Sequence, residues 1–145
     1  MSTNAVTRIV LTGRPITKKN HQTIARNRRT GRPYVLQSER YRQYEQDCLW
    51  QLKACRDRFA GPVRMKCLYW MPDRRKPDLL GLLQATADIL EKAQIIDNDR
   101  NVVSFDGSRI MGVDKQNPRV EIEIESCEVR LVKYCLALAD WVTEG

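Results

Sequence analysis

The sequence predicts an α+β domain, a small mixed β-sheet with two to three packed helices. Three observations lead there. Segments that are β-branched or alternate in polarity read as strands at Thr7–Thr12, Val63–Met71, 102–105 and 119–124. Apolar residues recur at helical spacing after Ser38 and again after Asp78. The resulting order β, α, β, α, β, β interleaves both element types within 145 residues, a length that suits one domain spanning 1–145.

Thr7-Arg8-Ile9-Val10-Leu11-Thr12 supplies the first strand. Residues 13–33 are polar, basic and bounded by turn formers, which predicts a long basic loop followed by a short extended piece at Tyr34-Val35-Leu36. Ser38 is suited to cap a helix, and Tyr41, Tyr44, Cys48, Leu49, Leu52 and Cys55 give that helix an apolar stripe over about 39–56. Gly61-Pro62 breaks the chain, and Val63, Met65, Cys67 and Tyr69 then share one face of a second strand. Pro72 ends it. After the charged turn Asp73-Arg74-Arg75-Lys76, Pro77 keeps Lys76 out of the helical region and Asp78 stands where a cap is needed.

In the helix that follows, Leu79, Leu82, Leu83, Thr86, Ala87, Leu90 and Ala93 form the buried stripe, while Gln84, Asp88 and Lys92 step by four along another face. Ile95-Ile96 anchors the exit, and residues 97–100 form a tight acidic turn. Two strands follow, separated by a turn-rich connection containing Asp106-Gly107 and Asn117-Pro118. From Cys127 onward, Leu131, Tyr134, Cys135 and Leu138 predict a C-terminal helical extension over about 127–145, packed on the body or on a second subunit.

Composition narrows the function classes. No apolar run approaches the roughly 18 residues of a membrane span, and the polar N-terminus lacks a secretory core. Five cysteines without a CxxC pair and a single histidine, His21, argue against zinc and for reduced thiols in a cytosolic protein. Charge is unevenly placed. Residues 1–38 carry no Asp or Glu but hold Arg8, Arg14, Lys18, Lys19, Arg26, Arg28, Arg29 and Arg32, so the net charge of +7 is an N-terminal property. A basic arm of this kind points to a polyanion, most simply nucleic acid. Charge alone admits RNA, but no clustered aromatic stacking motif supports it.

The acidic counterpart is a set of four carboxylates, Asp78, Asp88, Asp97 and Asp99, at the start of the second helix, on it and just past its end. Beside Arg74, Arg75 and Lys76 they suit a divalent cation acting on a phosphodiester. Each has a plainer reading: Asp78 as a helix cap, Asp88 as a solvated helical residue, Asp97 and Asp99 as turn formers.

The stretch from Met71 to Leu79, continued by Leu82, Ala85, Asp88-Ile89-Leu90, Lys92-Ala93, Asp97-Asn98-Asp99 and Val102-Val103, resembles the RusA family of Holliday junction resolvases, small endonucleases of phages and prophages. Upstream, Pro15-Ile16-Thr17-Lys18-Lys19-Asn20 is similar to the family's basic entry loop, and Gly31-Arg32-Pro33-Tyr34-Val35 with Ser38 and Tyr41 also fits. The resemblance spans about residues 7–125. It implies a RusA-like fold and a magnesium-dependent homodimer, with manganese as a substitute metal, that binds four-way or branched DNA in the bacterial cytoplasm or nucleoid. It further implies nicking of two opposing strands by a set of aspartates aided by a lysine.

Carried over by position, Asp78 and Asp99 match two of those aspartates, and Asn98 stands where a further aspartate is common. The implied DNA contacts are Lys18, Lys19, Asn20, Arg26, Arg28, Arg29, Arg32, Arg74, Arg75 and Lys76. Three positions depart from the pattern: the paired aspartate is Leu80, the asparagine after it Gly81, and the helical lysine Gln84. Asp88 or Asp97 is then expected to complete the metal set, and Lys76, Lys92 or Arg100 to replace the lysine. A non-catalytic junction-binding protein is the competing expectation, favoured by Leu80 and Gln84.

Overall fold

The computed structural model describes residues 5–18 and 22–127. A mixed sheet carries the fold. Strands β1 (Thr7–Thr12), β4 (Val63–Met71) and β7 (Arg119–Ser126) form its antiparallel part in the order β1-β7-β4. The other edge of β4 pairs in parallel with β5 (Val102–Ser104) near its start and with β6 (Arg109–Val113) near its end. Val63, Met65, Cys67, Tyr69 and Met71 alternate inward along β4, as do Val120, Ile122 and Ile124 along β7 and Ile9 and Leu11 along β1. That apolar face is covered by α1 (Glu39–Leu52) and α2 (Leu79–Lys92). No helix among the described residues is long and apolar enough to cross a membrane.

Helix α1 begins as expected, with Ser38 Oγ accepting from the Tyr41 amide at 3.1 Å. It ends at Leu52 rather than near 56, because the Lys53 amide bonds back three residues to Trp50 and the Cys55 amide to Leu52, closing successive turns. Helix α2 is tied to the sheet by one buried polar link. Thr86 Oγ1 donates to the Leu82 carbonyl at 2.9 Å and accepts from the Tyr69 hydroxyl at 2.7 Å. Both side chains are 3% exposed or less, so the link satisfies groups whose burial would otherwise cost about 1–3 kcal/mol.

Two expectations need correction. The segment expected as a loop over 13–33 contains β2 (Gln22–Arg26), which pairs antiparallel with β3 (Pro33–Gln37) in a separate two-stranded sheet. Its turn is built by Asn27, whose backbone bonds to Arg32 and Gly31 and whose side chain accepts from the Arg29 amide, with Gly31 supplying a φ of 71°. The connection expected between the last two strands contains β6, a short strand that gains its ladder from β4. The expected C-terminal helical extension lies outside the described residues.

Candidate active site

The charged turn after β4 delivers the chain to α2. Asp78 takes the N-cap position with extended backbone, yet its side chain makes no capping hydrogen bond. Its Oδ2 lies toward Gly81 instead, 2.9 Å from where a Cβ at that residue would stand. A cleft of about 230 Å³ opens here, lined by Arg14, Arg40, Arg75 and Lys76 together with Asp73 and Asp78. Asp73 is engaged from two sides, by Arg14 at 3.3 Å and by the Arg75 amide at 3.0 Å. The lining is therefore net basic around the Asp78 carboxylate.

Further along α2, Gln84 Nε2 donates to Asp88 Oδ1 and to Asp99 Oδ2, each at 3.1 Å. The acidic turn folds back to make this possible. The Asp99 amide donates to Glu91 Oε1 at 2.9 Å, and Asn98 Oδ1 accepts from the Arg100 amide at 2.8 Å, opening a 3₁₀ turn over Asp99–Asn101. Asn98 is thus occupied in shaping the turn, and Asp97 is exposed within it. Asp88 is not the solvated residue its helical face suggested. Its side chain is 18% exposed and its Oδ2 pairs with Lys18 Nζ at 2.9 Å.

The structure brings Asp88 and Asp99 together on the Gln84 amide and places Asp78 at the N-cap of α2. Among the described residues, no three His, Cys, Asp or Glu side chains form a group that could hold a metal. Leu80, at the position of the missing aspartate, is 75% exposed, so no apolar pocket has closed over it. Of the cations expected to replace the lysine, Lys92 pairs with Glu45 at 2.7 Å, Lys76 lines the cleft and Arg100 is exposed in the acidic turn. Lys18, expected only as a DNA contact, pairs with Asp88.

Of the remaining expected DNA contacts, Arg26, Arg28, Arg29 and Arg32 are exposed at the end of the β2–β3 hairpin, and Arg74, Arg75 and Lys76 are exposed before α2. Lys19 and Asn20 lie outside the described residues. Burial, with the neighbouring Glu45 and Asp88 carboxylates, pushes the Tyr41 phenol well above its ordinary value. Burial likewise pushes the Cys48 thiol up to about 11 and Cys67 up to about 12, so neither is a nucleophile at neutral pH.

A family model for the endodeoxyribonuclease RusA matches residues 12–125. The chain belongs to the RusA endodeoxyribonuclease family. The match runs from the end of β1 into β7 and so takes in the basic hairpin, both helices, the cleft at Asp78 and the Asp99 turn of this RusA-family protein. No curated protein matches the chain.

Thr17, Arg14 and Arg40 all line this cleft, and sequence reasoning did not place them beside Asp78. One signal was available for Thr17: a glycine inside an otherwise good helix, Gly81, often marks a close approach.

Proposed function

We propose that this RusA-family chain is a divalent-metal-dependent, structure-selective DNA endonuclease. It acts as a homodimer on four-way junctions in the bacterial cytoplasm or nucleoid and resolves them by nicking opposing strands. The observation that carries the reading is the cleft that the Asp78 carboxylate shares with Arg14, Arg40, Arg75 and Lys76. Such a lining admits a phosphodiester to a carboxylate that would otherwise repel it.

The donor chemistry at Asp78 and Asp99 fits a hard cation. Magnesium commonly takes only one or two protein carboxylates and completes its shell with water and phosphate oxygens. Asp78 and Asp99 are the residues that would hold it, and when bound it supplies an activated water and charge stabilisation on the phosphoryl oxygens. The chain's own side chains do the rest. Arg14, Arg40, Arg75 and Lys76 neutralise the phosphate at the cleft, Gln84 fixes the orientation of the Asp99 carboxylate, and the arginines of the hairpin engage the DNA arms.

A second reading, a junction-binding protein without cleavage, is favoured by the Gln84 amide seated between Asp88 and Asp99 and by the dispersed carboxylates. The two part on one experiment. A labelled synthetic four-way junction and a linear duplex of the same sequence are incubated with the protein in magnesium, manganese or chelator. Metal-dependent nicking of the junction and not of the duplex supports the endonuclease. Binding without nicking in either metal supports the second reading.

A further inference from the structure

Residues 13–18 do more at the site than carry positive charge. Thr17, 6% exposed, packs against α2 at Gly81, where an added Cβ would lie 3.0 Å from its Cγ2. The next residue reaches further along the same helix. Lys18 Nζ meets Asp88 Oδ2 at 2.9 Å, with the two side chains only 25% and 18% exposed, and lies 5.7 Å from the centre of the Tyr41 ring. The other Asp88 oxygen accepts from Gln84, which also donates to Asp99. Lys18 therefore places a full positive charge beside the carboxylate face, where Gln84 contributes hydrogen bonds and no charge.

Both oxygens of Asp88 are thus engaged, one by an amide and one by an ammonium. An ammonium has three donors, so the bond to Asp88 leaves two for other acceptors. We propose that Lys18 is the cation of this site and that Asp88 is a positioning residue acting through it, turning the ammonium toward the DNA phosphate that reaches Asp99. This rests on the endonuclease reading and deepens it. It also removes Asp88 from the metal set to which its sequence position had assigned it.

The test uses the full chain as wild type, Lys18→Met, Lys18→Arg, Asp88→Asn and the double variant Lys18→Met/Asp88→Asn. Two quantities are measured: single-turnover nicking of a four-way junction at saturating protein, and Mn2+ binding without DNA by electron paramagnetic resonance. Circular dichroism confirms that each variant is folded. Lys18→Met should slow nicking about tenfold or more, with junction affinity changed less than about threefold, and Lys18→Arg should restore most of the rate. Asp88→Asn should slow nicking in the wild-type background and add nothing to Lys18→Met. Its Mn2+ affinity should stay within about twofold of wild type.

A double variant slower than Lys18→Met by the full Asp88→Asn factor overturns the inference. So does a roughly tenfold loss of Mn2+ affinity in Asp88→Asn, which would make Asp88 a ligand. If Lys18→Met fails to fold, a roughly tenfold loss of Mn2+ affinity in Asp88→Asn still overturns the inference. A wild-type chain that nicks no junction refutes the endonuclease reading and takes the inference with it. An active wild type with either overturning result refutes the inference alone.

Discussion

Gly81→Ala separates helix propensity from close packing. In an unobstructed helix interior, Gly to Ala stabilises by about 1 kcal/mol. Here the new Cβ would lie 2.9 Å from Asp78 Oδ2, 3.0 Å from Thr17 Cγ2 and 3.2 Å from Thr17 Cβ. The Asp78 carboxylate is the end of a short side chain and can turn away. Thr17 is 6% exposed and adjoins Lys18, itself held by Asp88, so the 13–18 segment has little room to retreat. Overpacking of this kind costs about 1–3 kcal/mol. Taking a mid-range cost of about 2 kcal/mol and subtracting the propensity gain leaves a net loss of about 1 kcal/mol, or roughly 4 °C in melting temperature for a chain of this size. Urea denaturation of Gly81→Ala, Thr17→Ser and the double variant measures it. Thr17→Ser removes the Cγ2 methyl and should return at least about half of the loss in the double variant. A Gly81→Ala protein stabilised by the full ~1 kcal/mol would refute the reasoning, because it would mean that Thr17 does not rest on the helix.

Leu80→Asp should fold with its urea midpoint unchanged or raised, because the leucine is 75% exposed and a carboxylate in the first turn of a helix is favourable by about 0.3–1 kcal/mol. It should also tighten Mn2+ binding by adding a carboxylate two residues from Asp78; a stability loss above about 1 kcal/mol would show that Leu80 is covered by another surface. Replacing Arg28 and Arg29 by Gln should flatten the log–log salt dependence of junction affinity by about 0.9 for each phosphate no longer neutralised, and an unchanged slope would remove the hairpin turn from the DNA interface. The raised thiols give a pH signature. Cys48 and Cys67 stay protonated in the folded state up to about 11 and 12, against an ordinary value of 9.0 for the free thiol. Their contribution to stability is therefore fully present below about pH 9 and falls away as pH rises toward 11–12. Urea midpoints should fall above pH 9 and fall less in Cys67→Ala, and an equal fall in that variant would count against a buried thiol.

Local pattern made much of the fold legible. Strands β1 and β4 and helix α2 run where alternation and helical spacing placed them, because each buries one face against a single core and the apolar residues record it. The hairpin was hidden by its charge. Arg26, Arg28, Arg29 and Arg32 made residues 13–33 look uniformly polar, although Asn27 and Gly31 already stood at turn spacing between Thr23-Ile24 and Tyr34-Val35. Strand β6 was missed for a different reason. It is short, contains Gly112 and takes its order from pairing with β4, a partner some 40 residues away that local reading does not see.

The site divides the same way. Gln84 and Asp88 are neighbours by helical spacing, and that proximity was readable. The Gln84–Asp99 hydrogen bond depends on the turn folding back through Glu91, and the Lys18–Asp88 pair joins residues 70 positions apart. Neither leaves a local mark. At Leu80, where the family pattern has an aspartate, the helix turns an apolar side chain to the surface, an orientation that residue type does not record.

Asp78 and Asp99 are proposed to belong to one phosphodiester-cleaving site beside a DNA-binding surface. Gel-shift and denaturing-gel assays of the same four-way junction, run on Asp78→Asn and Asp99→Asn, test that claim most directly. Paired nicks on opposing strands, present with wild type in magnesium or manganese, should disappear in both variants. Junction binding should persist or strengthen, since each variant carries one negative charge fewer near phosphate. Nicking at the wild-type rate in either variant would contradict the claim.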